Sequence, residues 1–321
     1  MANESISNTT IKDPEEQFHM DVMGKKAFWL WLSVAYMVPF TIAIIMSFQQ
    51  FGAPVKLGLD FTGGTLMQAS FSEPLAIEKV RSILEDKGVH PHLQTSTDNK
   101  TLMIRSQYLD KNKSTEVKAA LGTLGTIDEK SFRLESVGPT IGAELLKNAG
   151  MAMGFGTLGL LLYITLRYQL DFAISSIIAM LHDGVVMLGT FSILSLTVGA
   201  EADGMLVVAL LTIMGFSIHD KIVIYDRIRE NLKLAKKGDT FDDVANRSIN
   251  QTLARSINIS LTLVLTLLPL VLMGGATIFY STLVMLLGVI SGTYSSIFNA
   301  APLVVVMREW SRKKSTSTAA A

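Results

Sequence analysis

The sequence predicts an α-helical polytopic membrane protein of six transmembrane helices, with a small α+β domain inserted between spans one and two. Three observations carry this. Apolar runs long enough to cross a bilayer recur six times, and a single stretch of about 100 residues between the first two has the polar composition of a soluble domain. The 321-residue chain is 49% hydrophobic and only 17% charged, with a mean hydropathy of +0.38, too apolar for an ordinary soluble protein. A formal net charge of zero, spread over loops, gives no reason to expect a nucleic-acid partner. The absence of cysteine excludes disulfides, thiolate metal sites and a cysteine nucleophile.

Residues 1–26 are polar and largely acidic, without the apolar core of a signal peptide, and read as a cytoplasmic tail. The first span is 27–48, about 22 residues and so roughly 33 Å of helix, with Pro39 expected to kink it. Residues 49–147 form the inserted domain. Alternation predicts strands at 65–71, 92–97, 101–106 and 131–137, with the second and third joined through Asp98 and Asn99. Apolar spacing predicts helices at 74–87 and 114–124. The order β-α-β-β-α-β is that of the ferredoxin-like split motif.

The remaining spans are expected at 149–166, 172–198, 204–225, 253–273 and 279–307 within a bundle covering 148–307, followed by a tail at 308–321. Arg167, the cluster from Arg227 to Arg247, and Arg308 with Arg312, Lys313 and Lys314 all fall on one side. The positive-inside rule makes that side cytoplasmic, with both termini, and puts the inserted domain outside. Gly150, Gly154 and Gly159 in span two, and Gly288, Gly292, Ser295 and Asn299 in span six, have the spacing of close helix packing.

The chemistry concentrates in Gly215 to Asn231. There His219, Asp220 and Lys221 lie inside an apolar run, where a central Asp or Lys costs roughly 2.5–3.5 kcal/mol and usually marks an ion or proton pathway. Asp220 lies about 7–8 Å inside Tyr225, and Arg255 opens span five at similar depth. Neighbouring spans would let the two pair, and separating them would let a desolvated carboxyl take a proton. Thr252, Asn258, Thr262 and Thr266 share a face with Arg255, either lining a wet path or bonding helix to helix. His182 and Asp183 form a second ionisable pair in span three, a relay or a staple between helices. Lys221 is expected to snorkel to the cytoplasmic headgroups, and His219 to relay protons or bond a carbonyl.

The glycine-rich stretch from Leu57 to Thr65 lacks the Gly-Lys-Ser/Thr of a phosphate loop, so Asp60, Gly63 and Gly64 are read as a junction between span one and the domain. His90 and His92 read as surface histidines rather than metal ligands. No nucleotide loop, nucleophile elbow or metal-ligand spacing is present, and neither an enzyme nor a cofactor is expected.

Five stretches together resemble the SecF family: Gly58 to Gly64, Glu135 to Pro139, His182-Asp183, Gly215 to Asn231, and Asn250 to Arg255. SecF proteins work with SecD beside the bacterial translocation channel. The resemblance implies half of a pseudo-symmetric transporter of the resistance-nodulation-division type, in the inner membrane. SecD would complete it, its partners being the SecYEG translocon, YajC, YidC, membrane lipid and exported polypeptides. It also implies that Asp220 and Arg255 take part in ion passage driven by the proton-motive force. The chain departs from the family's Tyr-Ser-Ile-Asn-Asp-Thr in reading Phe216-Ser217-Ile218-His219-Asp220-Lys221, and a fixed charge on Lys221 would oppose sodium at Asp220, which favours protons. A passive translocon scaffold and half of a small-molecule or lipid exporter are the competing functions.

Overall fold

The computed structural model describes residues 20–73, 76–95, 100–128 and 131–319. It is mostly helical, with six helices long and apolar enough to cross a membrane and one small sheet. The polar tail before residue 20, the expected Asp98-Asn99 turn and the first residues of the expected helix at 74–87 lie outside the described residues. The chain divides into two compact units, residues 1–46, 157–194 and 209–321, and residues 47–156 and 195–208.

The second unit holds the sheet. Strands β1 (Gly64–Ser70), β2 (His92–Thr95), β3 (Thr101–Ser106) and β4 (Arg133–Val137) pair in the order β2-β3-β1-β4, every pair antiparallel. Helices α3 (Ile77–Asp86) and α4 (Lys111–Gly122) alternate with them along the chain. Period-two alternation sends Met67, Ala69, Leu102 and Ile104 to one face, where Val80 and Leu84 of α3 and Val117 and Leu121 of α4 meet them. Asp110 caps α4 by accepting from the Lys113 amide at 2.7 Å.

In the same unit a single helical turn, α2 (Leu59–Thr62), ends at Gly63 with φ +69°. A Cβ at Gly63 would lie 2.9 Å from Pro139 Cα, one at Gly64 2.7 Å from the Ser106 carbonyl, and one at Gly58 2.6 Å from that of Ala202. Glycine is required here by both conformation and space. The Gly58 amide donates to Ala202 and the Ala202 amide to Lys56, while Lys56 and Arg105 both pair with Glu201. Asp60 Oδ2 accepts from the Gly204 amide at 3.0 Å, a carboxylate placed at the start of α7 (Gly204–Lys233) where a helix presents free N–H groups.

The apolar helices outrun the hydrophobic stretches that predict them. α1 is Lys26–Phe51 and continues through Pro39 without a break, α5 is Pro139–Arg167, and α6 is Leu170–Val198. α8 is Phe241–Met273, starting about three turns before its apolar run because Thr240 and Asp243 form a capping box. α9 (Ala276–Ser295) passes through a π turn at Ser296–Ala300 into α10 (Ala301–Ala319).

The glycine stripes part company. In the first unit, a Cβ at Gly288 would meet Met187 and Ile213 at 3.0 Å, and one at Gly292 would meet Ser217 at 3.4 Å, so α9 packs closely there. Gly150, Gly154 and Gly159 of α5 have nothing within 4 Å of such a Cβ. The packing expected of that stripe is therefore not made among the described residues.

Candidate functional site

The candidate site lies in the first unit, where α6, α7, α8 and the α9–α10 rod bring buried polar groups together. His182, Asp183, Ser217, Asp220 and Lys221 are each at most 3% exposed. Residues 217, 220, 221 and 224 follow helical spacing on α7, but neighbours in sequence point about 100° apart. Asp220 and Lys221 therefore enter different surroundings.

Lys221 turns toward α6. Its ammonium donates to Asp183 Oδ2 at 2.7 Å and to the hydroxyl of Ser217, which in turn donates to the same carboxylate oxygen. His182 Nδ1 lies 3.0 Å from the other carboxylate oxygen. Tyr36 of α1 sits beside the imidazole with ring centroids 6.2 Å apart, and His182 Nε2 is buried without a hydrogen-bond partner. The snorkelling expected of Lys221 does not occur: the side chain is 1% exposed. An ion pair within reach between spans outweighs the stretch to the headgroups, and removing one member of such a pair costs about 3–5 kcal/mol.

Asp220 makes no ion pair among the described residues, although the charge of Lys221 one residue along still acts on it. Ser256 on α8 and Ser296 in the π turn lie beside its carboxyl, the Ser296 hydroxyl donating to the Gly292 carbonyl at 2.9 Å. Asp220 Oδ2 nevertheless has no hydrogen-bond partner, and neither does the buried Ser256 Oγ. The expected pairing with Arg255 is not formed in this chain: Arg255 is exposed, and among the described residues it makes no ion pair with Asp220. The reason is the rotation of α8. The helix buries Ser248, Thr252, Ser256 and Ser260, spaced by four, and turns Arg255, Asn258, Thr262 and Thr266 outward.

Thr252 therefore belongs to the packed face, with its hydroxyl on the Ser248 carbonyl at 2.9 Å. Thr262 and Thr266 bond carbonyls of their own helix at 2.8 Å. His219 is exposed on α7. The groups missed at the sequence level are Ser217, Ser256 and Ser296. The four-residue spacing of serine and threonine from 248 to 260 is the signal that marks the buried face of α8.

The second half of Gly215 to Asn231 builds a joint on α7 and α8. Asn231 Nδ2 donates to Ser248 Oγ at 2.8 Å and to Gln251 Oε1 at 2.9 Å, and Arg227 Nε donates to the same Gln251 oxygen at 2.7 Å. Tyr225 is fully buried, its hydroxyl 2.9 Å from Ser175 Oγ. Beside this joint the segment before α1 is held by side chains of α8. Asn250 bonds both the amide and the carbonyl of Met20, and Asn246 Oδ1 accepts from the amides of Val22 and Met23. Among the described residues no group of three or more His, Asp or Glu side chains could hold a metal.

Comparison with known proteins gives consistent findings. The family described as protein export membrane protein SecD/SecF, C-terminal, matches residues 116–310, and the SecD/SecF GG motif matches residues 51–74. The protein translocase subunit SecF of Synechocystis is 39% identical, the match covering 88% of this chain and 93% of that protein. SecF of Thermobaculum terrenum is also 39% identical, over 91% and 94%. The crystal structure of SecDF, a translocon-associated membrane protein from Thermus thermophilus, matches 91% of this chain with a TM-score of 0.76 and 32% identity. This chain spans 39% of the length of that SecDF. The chain belongs to the SecD/SecF family of protein export membrane proteins, with SecF relatives along most of its length.

Proposed function

We propose that this SecF-family chain, together with SecD, uses the proton-motive force to assist export of polypeptides through the Sec translocon of the bacterial inner membrane. Both termini would be cytoplasmic, with the ferredoxin-like domain on the outer side. The translocon would be SecYEG, with YajC and YidC as further partners. The chain acts as a transport subunit rather than an enzyme and takes no cofactor.

The observation that carries the proton reading is Asp220. It is a carboxyl buried in a membrane-spanning helix, with Oδ2 unpartnered, Ser256 and Ser296 beside it, and no ion pair among the described residues. A carboxyl so placed is a group whose charge can change without breaking a salt bridge. Its neighbour Ser296 lies in a π turn, a helix irregularity that recurs at functional sites. Arg255, exposed on α8, is free to meet a group supplied by SecD.

The test is Asp220→Asn, which keeps shape and removes the exchangeable proton. Export stimulated by the proton gradient, measured in inverted vesicles, should be lost while the variant inserts and binds SecD. Energy enters only through charge crossing the potential, about 2.3 kcal/mol per elementary charge per 100 mV. Undiminished export by the well-expressed variant would remove Asp220 from the mechanism and pass the role to His182 and Asp183. Loss of abundance or of SecD binding in Asp220→Asn would instead favour the passive scaffold.

A further inference from the structure

Between α6 and α7 the ammonium of Lys221 fills an oxygen cage. Nζ lies 2.7 Å from Asp183 Oδ2 and 3.4 Å from the Ser217 carbonyl oxygen, and it also donates to Ser217 Oγ. Lys221, Ser217 and Asp183 are 0%, 0% and 1% exposed. Gly292 of α9 leaves the room for Ser217, because a Cβ there would already touch its Cβ and Oγ at 3.4 Å. A carboxylate oxygen, a hydroxyl oxygen and a backbone carbonyl oxygen converging on one compact positive centre form the donor set that hard metal cations take. Lysine supplies the charge as a small, strongly hydrated point on a long stem.

We infer that Lys221 is a tethered substitute for a free monovalent cation, and that Asp183 and Ser217 form a latent sodium site which the ammonium keeps filled. The charge balance supports this. Without the ammonium, Asp183 retains only Ser217 and His182, and a buried carboxylate left without its counter-charge draws in whatever cation fits. A short side chain at 221 also vacates the volume of the lysine stem beside Ser217. Lys221→Ser adds a hydroxyl four residues from Ser217 on the same helix face, and with it a fourth oxygen. The inference concerns cation occupancy alone and does not rest on the proposed export function.

The experiment uses the full chain in detergent, with thermal unfolding followed in sodium chloride and in choline chloride at equal ionic strength. The parent protein should melt at the same temperature in both. Lys221→Ser should melt about 4 °C higher in sodium at a few hundred millimolar, as expected for a weakly bound ligand of the folded state, and should bind one radioactive sodium ion per chain. The double variant Lys221→Met with Asp183→Asn, which removes both charges, should lose the sodium dependence. Equal melting of Lys221→Ser in the two salts would overturn the inference, as would sodium dependence that persists in the double variant. Recovery of folded Lys221→Ser from membranes only when sodium is present counts in favour. Failure to recover it in either salt, while the double variant is recovered in both, counts against.

Discussion

The segment before the first span is held by two asparagines, and its opening can be predicted quantitatively. Asn250 makes two hydrogen bonds to Met20, from the amide to Oδ1 at 2.8 Å and from Nδ2 to the carbonyl at 2.9 Å. Asn246 Oδ1 accepts from Val22 and Met23 at 2.9 and 3.3 Å. Taking about 1 kcal/mol net for each of the three shorter bonds, Asn246→Ala with Asn250→Ala weakens the attachment by about 3 kcal/mol. Val22 and Met23 remain buried as apolar anchors, so the segment opens more often without coming away. About 3 kcal/mol corresponds to roughly a 100-fold rise in the exchange rate of the Val22 and Met23 amides. Hydrogen exchange of the full chain, followed by mass spectrometry on peptides covering residues 20–26, measures it. Lys26→Met is the comparison. It removes two ion pairs, to Asp242 and Glu309, from a partly exposed lysine; at about 1 kcal/mol or less for each exposed pair, the rise should stay below about 30-fold. Unchanged protection in the double asparagine variant would refute the reasoning, since those amides would then be shielded by something other than these acceptors.

Two further outcomes follow from the fold. Cysteines placed at the exposed positions Lys79 and Lys237 should differ in intact cells, with a membrane-impermeant reagent labelling only position 79; labelling of 237 alone would invert the proposed topology. Gly63→Ala should destabilise the unit containing the sheet by about 2–4 kcal/mol, from left-handed backbone plus a Cβ forced against Pro139 and the Val137 carbonyl, read as a lower midpoint in chemical denaturation of the full chain.

Sequence alone located the costly residues and misassigned their partners, for a physical reason. A charge in an apolar run is visible from composition, because its transfer cost does not depend on neighbours; hence His182, Asp183, Asp220 and Lys221 stood out. Partner choice depends on helix rotation, which apolar periodicity fixes poorly when every face of a span is hydrophobic. Arg255 and Ser256 differ by one residue, yet the first is exposed and the second 1% exposed. The strands and helices around the sheet were legible, because half-buried strands alternate and α3 has a clear apolar stripe in Val80 and Leu84. The starts of α5 and α8 were not, since Pro139 and the capping box at Thr240 extend helices into polar sequence where hydropathy falls.

The adjacency of Asp220 and Lys221 in sequence conceals a division of labour that the helix geometry separates. If both side chains faced one pocket, the lysine would hold the aspartate ionised, and a change in its charge would have to break a buried pair at a cost of about 3–5 kcal/mol. Rotation by about 100° per residue sends Lys221 to Asp183 on α6 and Asp220 to Ser256 and Ser296 on the other side. The pair on one side then has no need to rearrange when the carboxyl on the other gains or loses a proton. On the proposed function, this lets a chain with lysine beside its key aspartate work with protons: the ammonium is hydrogen-bonded to Asp183, and Asp220 makes no ion pair among the described residues. Moving the lysine from 221 to 224, four residues from Asp220 on the same helix face, should therefore cut export driven by the proton gradient more than removing it together with Asp183, because it would bring a permanent cation to the carboxyl that has to exchange.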